Sequence, residues 1–165
     1  MNPIPRLAMA AVLASLLAGC GSSRELTERS LREARQVWTR AGLRDYDLEW
    51  RSSGLRSGRY RVAVRGGRVE EVRSVLPDGR VILARPGDPS FYSVDGLFQT
   101  LEEELEQARS ERPFGQPSGS TAVLRFDPDP KLGYPRSYRR DVVGAPKGLA
   151  IDVIRLEPRP AGQPG

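Results

Sequence analysis

The chain has 165 residues, with 26 basic and 21 acidic side chains and a formal net charge of +5. One cysteine and no histidine exclude an internal disulfide and a thiolate metal cluster, and remove the commonest general base and transition-metal ligand. The charge bias is mild and carried by arginine, since Lys131 and Lys147 are the two lysines.

Met1 to Arg6 carries a single cation, Arg6, and Leu7 to Ala18 is free of charge. That run fits the apolar core of a secretory signal and is short of the roughly 20 residues a spanning helix needs. Polar Gly21-Ser22-Ser23-Arg24 follows at once. Ala18 and Gly19 are small enough to let a protease reach the backbone, and Cys20 offers a thiol just beyond them. Leu17-Ala18-Gly19-Cys20 closely resembles the lipobox of bacterial lipoproteins. The resemblance implies cleavage between Gly19 and Cys20, and a mature chain that begins with a lipidated Cys20. Two or more acyl chains hold a protein stably on a membrane where one does not. Gly21 is not acidic, which by the same resemblance implies the outer membrane, facing the periplasm, in a bacterium with two membranes. The competing reading is a generic signal peptide with a chance cysteine.

The expected organisation is a signal peptide over 1–19, a lipidated tether over 20–25, one α+β domain over 26–156 and a disordered tail over 157–165. Leu31, Ala34, Trp38 and Ala41 recur at helical steps, which predicts a helix over Leu26 to Ala41 ended by Gly42. Tyr46, Leu48 and Trp50 then alternate with Asp45, Asp47 and Glu49, the pattern of a half-buried strand. Three acids in a row could chelate a hard cation, but a solvated strand face is the ordinary explanation, and no metal is expected. Residues 52–58 read as a loop. Tyr60, Val62 and Val64 alternate with Arg59, Arg61 and Arg65 on the next strand. Gly66-Gly67 suits a tight hairpin, and Arg68 to Val75 returns with a bulge near Glu70-Glu71.

Pro77-Asp78-Gly79 is a turn, and Arg80 to Ala84 adds a short extended piece. Ser93 caps a second helix, Val94 to Ser110, whose apolar stripe is Leu97, Phe98, Leu101, Leu105 and Ala108. Glu102, Glu103, Glu104 and Glu106 are assigned to its exposed side. Residues 111–120 form a flexible excursion. Further strands are expected over Thr121 to Phe126, Ser137 to Val143 and Leu149 to Leu156. The sum is an α+β fold: an antiparallel sheet of four to six strands with two helices packed on one face. No P-loop, dinucleotide fingerprint or nucleophile elbow is present.

Four stretches resemble an uncharacterised bacterial lipoprotein family, the domain of unknown function 6174. They are residues 34–46, Val62 to Val69, Ser93 to Phe98 and Leu132-Gly133-Tyr134-Pro135. The resemblance implies a fold and a location, not a reaction. The family often carries Cys-x-Cys after its first strand. Here that region is Arg51-Ser52-Ser53-Gly54-Leu55, so no redox or metal role is carried over.

The first functional expectation is a non-enzymatic envelope lipoprotein, attached to the membrane by its lipid, that binds or helps assemble a protein partner. The second is a periplasmic module that binds a small or polymeric anion through Arg59, Arg61 and Arg65. The competing reading of those arginines is a polar sheet face paired with nearby acids, and it is preferred. An enzyme using paired carboxylates comes third, because no pair is singled out by spacing. No cofactor and no nucleic-acid partner are expected.

Overall fold

A computed structural model describes residues 23–54, 57–145 and 148–160. Gly19, Cys20 and the rest of the lipobox lie outside the described residues. The chain enters as β1 (Arg24–Glu25), α1 (Glu28–Ala41), β2 (Tyr46–Gly54), β3 (Gly58–Arg65), β4 (Arg68–Val75) and β5 (Val81–Leu83). A 3-10 turn, Pro89–Tyr92, leads into α2 (Val94–Ala108). A second one, Pro113–Gly115, precedes β6 (Ala122–Pro128), β7 (Pro135–Val142) and β8 (Leu149–Pro158). The fold is α+β, and the eight strands form one antiparallel sheet in the order β1-β6-β7-β8-β2-β3-β4-β5.

The sheet therefore exceeds the four to six strands expected. Part of the excess is β1, two residues in a stretch read as tether. Arg24 and Glu25 pair with Phe126 and Arg125, and the Leu26 amide donates to the Leu124 carbonyl at 2.9 Å. Leu26 is buried in the core, and that burial pins a segment with no alternation of its own. The start of the tail is corrected in the same way, while residues 161–165 lie outside the described residues. β8 runs through Glu157 and Pro158 opposite Asp47 and Tyr46, and the Arg159 amide donates to the Asp45 carbonyl at 2.8 Å. Ser52 to Gly54, read as loop, extends β2, because β8 offers it Leu149 to Ile151 as partners.

Helix α1 starts two residues later than expected. Thr27 caps it: the Ser30 amide donates to Thr27 Oγ1 at 3.1 Å and the Thr27 amide to Ser30 Oγ at 2.9 Å. Leu31, Ala34 and Trp38 are buried, while Ala41 lies exposed at the helix end. Gly66 and Gly67 both take positive φ in the β3–β4 turn, and the bulge falls at Glu70, between the Ala63–Glu71 and Val64–Val69 pairs.

The core lies between the helices and one sheet face. Tyr46, Leu48, Trp50, Val62, Val64, Phe126, Tyr138 and Ile151 join Leu31, Trp38, Leu97, Phe98 and Leu101 in a single cluster. Each large apolar side chain buried there contributes about 1.5–3 kcal/mol. Two glycines allow close backbone approach, one of the β6–β7 loop to α1 and one of α2 to the 3-10 turn before it. A Cβ on Gly133 would sit 2.4 Å from the Ala34 carbonyl oxygen on α1, and one on Gly96 would sit 2.4 Å from that of Phe91. The Val94 amide, at the start of α2, donates to Tyr46 Oη at 3.2 Å. Burial pushes the Tyr46 phenol up to about 12, so it remains a neutral hydroxyl.

Candidate functional site

The arginines read from the alternation of β3 do share the sheet face turned away from the helices, and each meets a carboxylate. Arg59 and Arg61 converge on Glu49, at 2.5 and 3.1 Å, and Arg155 approaches it at 4.0 Å. Arg65 and Arg159 both grip Asp47, Arg65 at 2.7 Å. Strand register explains the arrangement. Leu83, Arg73, Arg61, Glu49 and Arg155 line up across β5, β4, β3, β2 and β8, so Glu49 stands between Arg61 and Arg155 and diagonal to Arg59, while Arg73, opposite Arg61, pairs with Glu71 on its own strand.

Glu49 is only 5 % exposed, although the alternation assigned it to a wet face. Burial works to raise its carboxyl, but the hydrogen bonds and charges of Arg59 and Arg61 outweigh that and hold it below its ordinary value. Asp47 is held down in the same way by Arg65 and Arg159, against burial. Asp45 accepts instead from the Gly66 amide at 2.9 Å. The three acids are thus bound separately rather than gathered around a cation.

The hydrogen bonds of Arg59, Arg61 and Arg65 are directed at Glu49 and Asp47, which weakens this face as a platform for a free anion, although five guanidiniums share the two carboxylates. Arg59→Ala with Arg61→Ala is expected to lower retention on heparin beads only slightly, by the two charges removed. The same pair should cost about 1–3 kcal/mol, the penalty for a buried acceptor losing its donors. Glu49 sits below its ordinary value when folded, so the stability it lends is complete above the unfolded carboxyl range, about 4.3, and is lost as pH falls through the lower folded value. Removing its donors shifts the acid-unfolding midpoint to higher pH. An acid titration followed by circular dichroism measures this, and an unmoved midpoint would contradict the role given to the pair.

A second feature is the free edge of the sheet. Val81, Ile82 and Leu83 are 37, 46 and 57 % exposed, and among the described residues β5 pairs only with β4. The Ala84 amide donates to the Val72 carbonyl at 2.8 Å and the Leu76 amide to that of Arg80 at 2.8 Å. In an antiparallel ladder bonded residues alternate. Ile82 therefore bonds back to β4, while the backbone groups of Val81 and Leu83 point outward. At three residues, and flanked by Arg80 and Arg85, β5 carries some of the features that blunt an edge, but its three side chains are apolar and exposed, the property that lets an edge pair with another chain. The sequence showed a short extended piece here, but not that it would end the sheet.

A third feature is a cleft of about 670 Å³ between α2, the sheet and residues 109–120, lined by Trp50, Tyr60, Phe91, Tyr92, Phe114 and Arg140 among others. At its base Arg140 Nη1 donates to both Glu104 oxygens, at 2.8 and 2.9 Å, and Tyr138 Oη donates to Glu104 Oε2 at 2.6 Å. Burial, and then the Glu104 charge, raise the Tyr138 phenol. Arg140 is 7 % exposed, and its Nε is buried without a partner among the described residues. The Phe114 ring covers the guanidinium, its centroid 4.1 Å from Cζ. Phe114 is the one non-glycine of the described residues at positive φ, 55°, a conformation that costs an L-residue about 1–2 kcal/mol.

Glu104 was assigned to the exposed side of α2 and turns inward instead. It stands three residues after Leu101 and seven after Leu97, which is the core face of a helix. Arg140 likewise alternates with buried Tyr138 and Val142. Those two offsets are the signals that would have located the pair.

No protein-family model matches the chain, and no curated protein matches it either.

Proposed function

We propose that this chain is a non-enzymatic lipoprotein of the cell envelope, anchored through lipidated Cys20, that docks an extended segment of a partner protein onto β5. On this reading the lipid holds it to the outer membrane, facing the periplasm, where the bacterium has two membranes. The observation that carries it is the sheet order. β1 begins four residues after Cys20, a span of at most about 14 Å, and stands at one edge of the sheet. The apolar edge strand β5 stands at the other. Seven strand spacings of roughly 4.8 Å put about 34 Å between them. The tether would hold one edge against the lipid and present the other outward. Strand addition draws affinity from main-chain hydrogen bonds and specificity from alternate side chains. Exposed Arg85, just beyond β5, favours a segment with an apolar centre and an acidic flank.

Leu83→Pro tests this, because the amide it removes points away from β4. An edge proline is tolerated there, so thermal unfolding should change little. Lipidated protein crosslinked in cells and purified in mild detergent is expected to bring down one stoichiometric envelope protein, and Leu83→Pro to lose it. A partner retained in full by the proline variant would refute docking on β5.

A further inference from the structure

The aromatic cleft is independent of the β5 edge. Trp50, Tyr60, Phe91 and Tyr92 form a contiguous cluster with ring centroids 4.9–6.5 Å apart. Phe91 is 39 % exposed and offers a ring to a ligand. The cleft volume lies within the roughly 300–1,000 Å³ of small-molecule sites. Its polar lining includes acceptors, Glu103, Glu106 and Thr100, whose hydroxyl donates to the Gly96 carbonyl at 3.0 Å, and a group that both donates and accepts, Gln107. Arg140 Nε is a further donor without a partner among the described residues, but it is buried beside the Phe114 ring and is reached only when that ring moves aside.

Charge narrows the ligand. Arg140 is neutralised by Glu104, and the two further carboxylates at the rim repel anions. A ligand that meets aromatic rings on its face, and both donors and acceptors on its edge, carries apolar C–H faces and hydroxyl groups. We infer that this cleft binds a neutral oligosaccharide, stacked on Phe91 and the neighbouring tyrosines, with a ring oxygen or hydroxyl taking the hydrogen bond of Arg140 Nε. Phe114 is the gate. Its ring now occupies the face of the guanidinium, and its left-handed backbone favours release when a sugar ring takes its place.

The test is calorimetric titration of the full chain, in a detergent without a sugar headgroup, with maltotriose, cellotriose and chitotriose. At least one should bind saturably. Phe91→Ala should weaken that binding tenfold or more. Phe114→Gly, which relieves the backbone and removes the gate, should strengthen it several-fold, a direction that a merely structural phenylalanine would not give. Spermidine and a heparin trisaccharide serve as cationic and anionic controls. The inference is overturned if none of the three neutral trisaccharides binds, if a charged control binds more tightly than all of them, or if Phe114→Gly weakens binding as much as Phe91→Ala does.

Discussion

Arg140→Leu is expected to cost about 3–5 kcal/mol of folding stability, the penalty for leaving a buried charge without its partner. The side chains of Arg140 and Glu104 are 8 and 12 % exposed, so little water reaches the carboxylate to replace the lost donors. Tyr138 Oη still reaches Glu104 in the variant, but one phenol does not neutralise a carboxylate. The Phe114 ring also loses its cation, worth a further 0.5 kcal/mol or about that. The loss should come from the uncompensated charge rather than from missing volume. Replacing the whole cluster, Glu104→Leu, Arg140→Leu and Tyr138→Phe, should therefore recover much of it. Urea unfolding of the two variants separates these terms. A single variant that loses less than 1 kcal/mol would mean that the cluster is open to solvent.

Cys20→Ala is expected to abolish lipid attachment altogether. The thioether needs the cysteine sulfur, and by the lipobox resemblance the cleavage follows lipidation. The variant should accumulate as an uncleaved precursor, with incorporation of labelled palmitate at background. No other cysteine can substitute, because Cys20 is the one the chain has. Palmitate incorporation at the wild-type level in Cys20→Ala would end the lipoprotein reading, and with it the geometry in which β1 faces the lipid.

Local chemistry made much of the fold legible. The helical repeat of Leu31, Ala34 and Trp38, the alternation from Tyr46 to Trp50, the Gly66-Gly67 turn and the Ser93 cap all report interactions within a few residues. The preferred reading of Arg59, Arg61 and Arg65 as partners of nearby acids also agrees with their hydrogen bonds to Glu49 and Asp47. What the sequence concealed is set by long-range contact. β8 lies between β7 and β2, and it is this pairing that lengthens β2 past Trp50. Arg24 and Glu25 carry no strand signal, and only burial of Leu26 brings them onto β6. Glu49 shows that alternation assigns a face, not its exposure, because Arg59, Arg61 and Arg155 close over it. Residues 111–120 read as a flexible excursion, yet they deliver Phe114 onto Arg140. No local pattern announces a contact between a loop and a strand placed by the sheet.

The central claim is that β5 is the partner-binding edge of a tethered domain. A photoreactive residue placed at Ile82 of the lipidated protein, and irradiated in living cells, tests it directly. The same residue at Glu33, on the exposed side of α1, serves as the control. The account predicts one discrete adduct with an envelope protein from position 82, none from position 33, and loss of the adduct when Leu83→Pro is added. No adduct from position 82, or equal adducts from both positions, would contradict it.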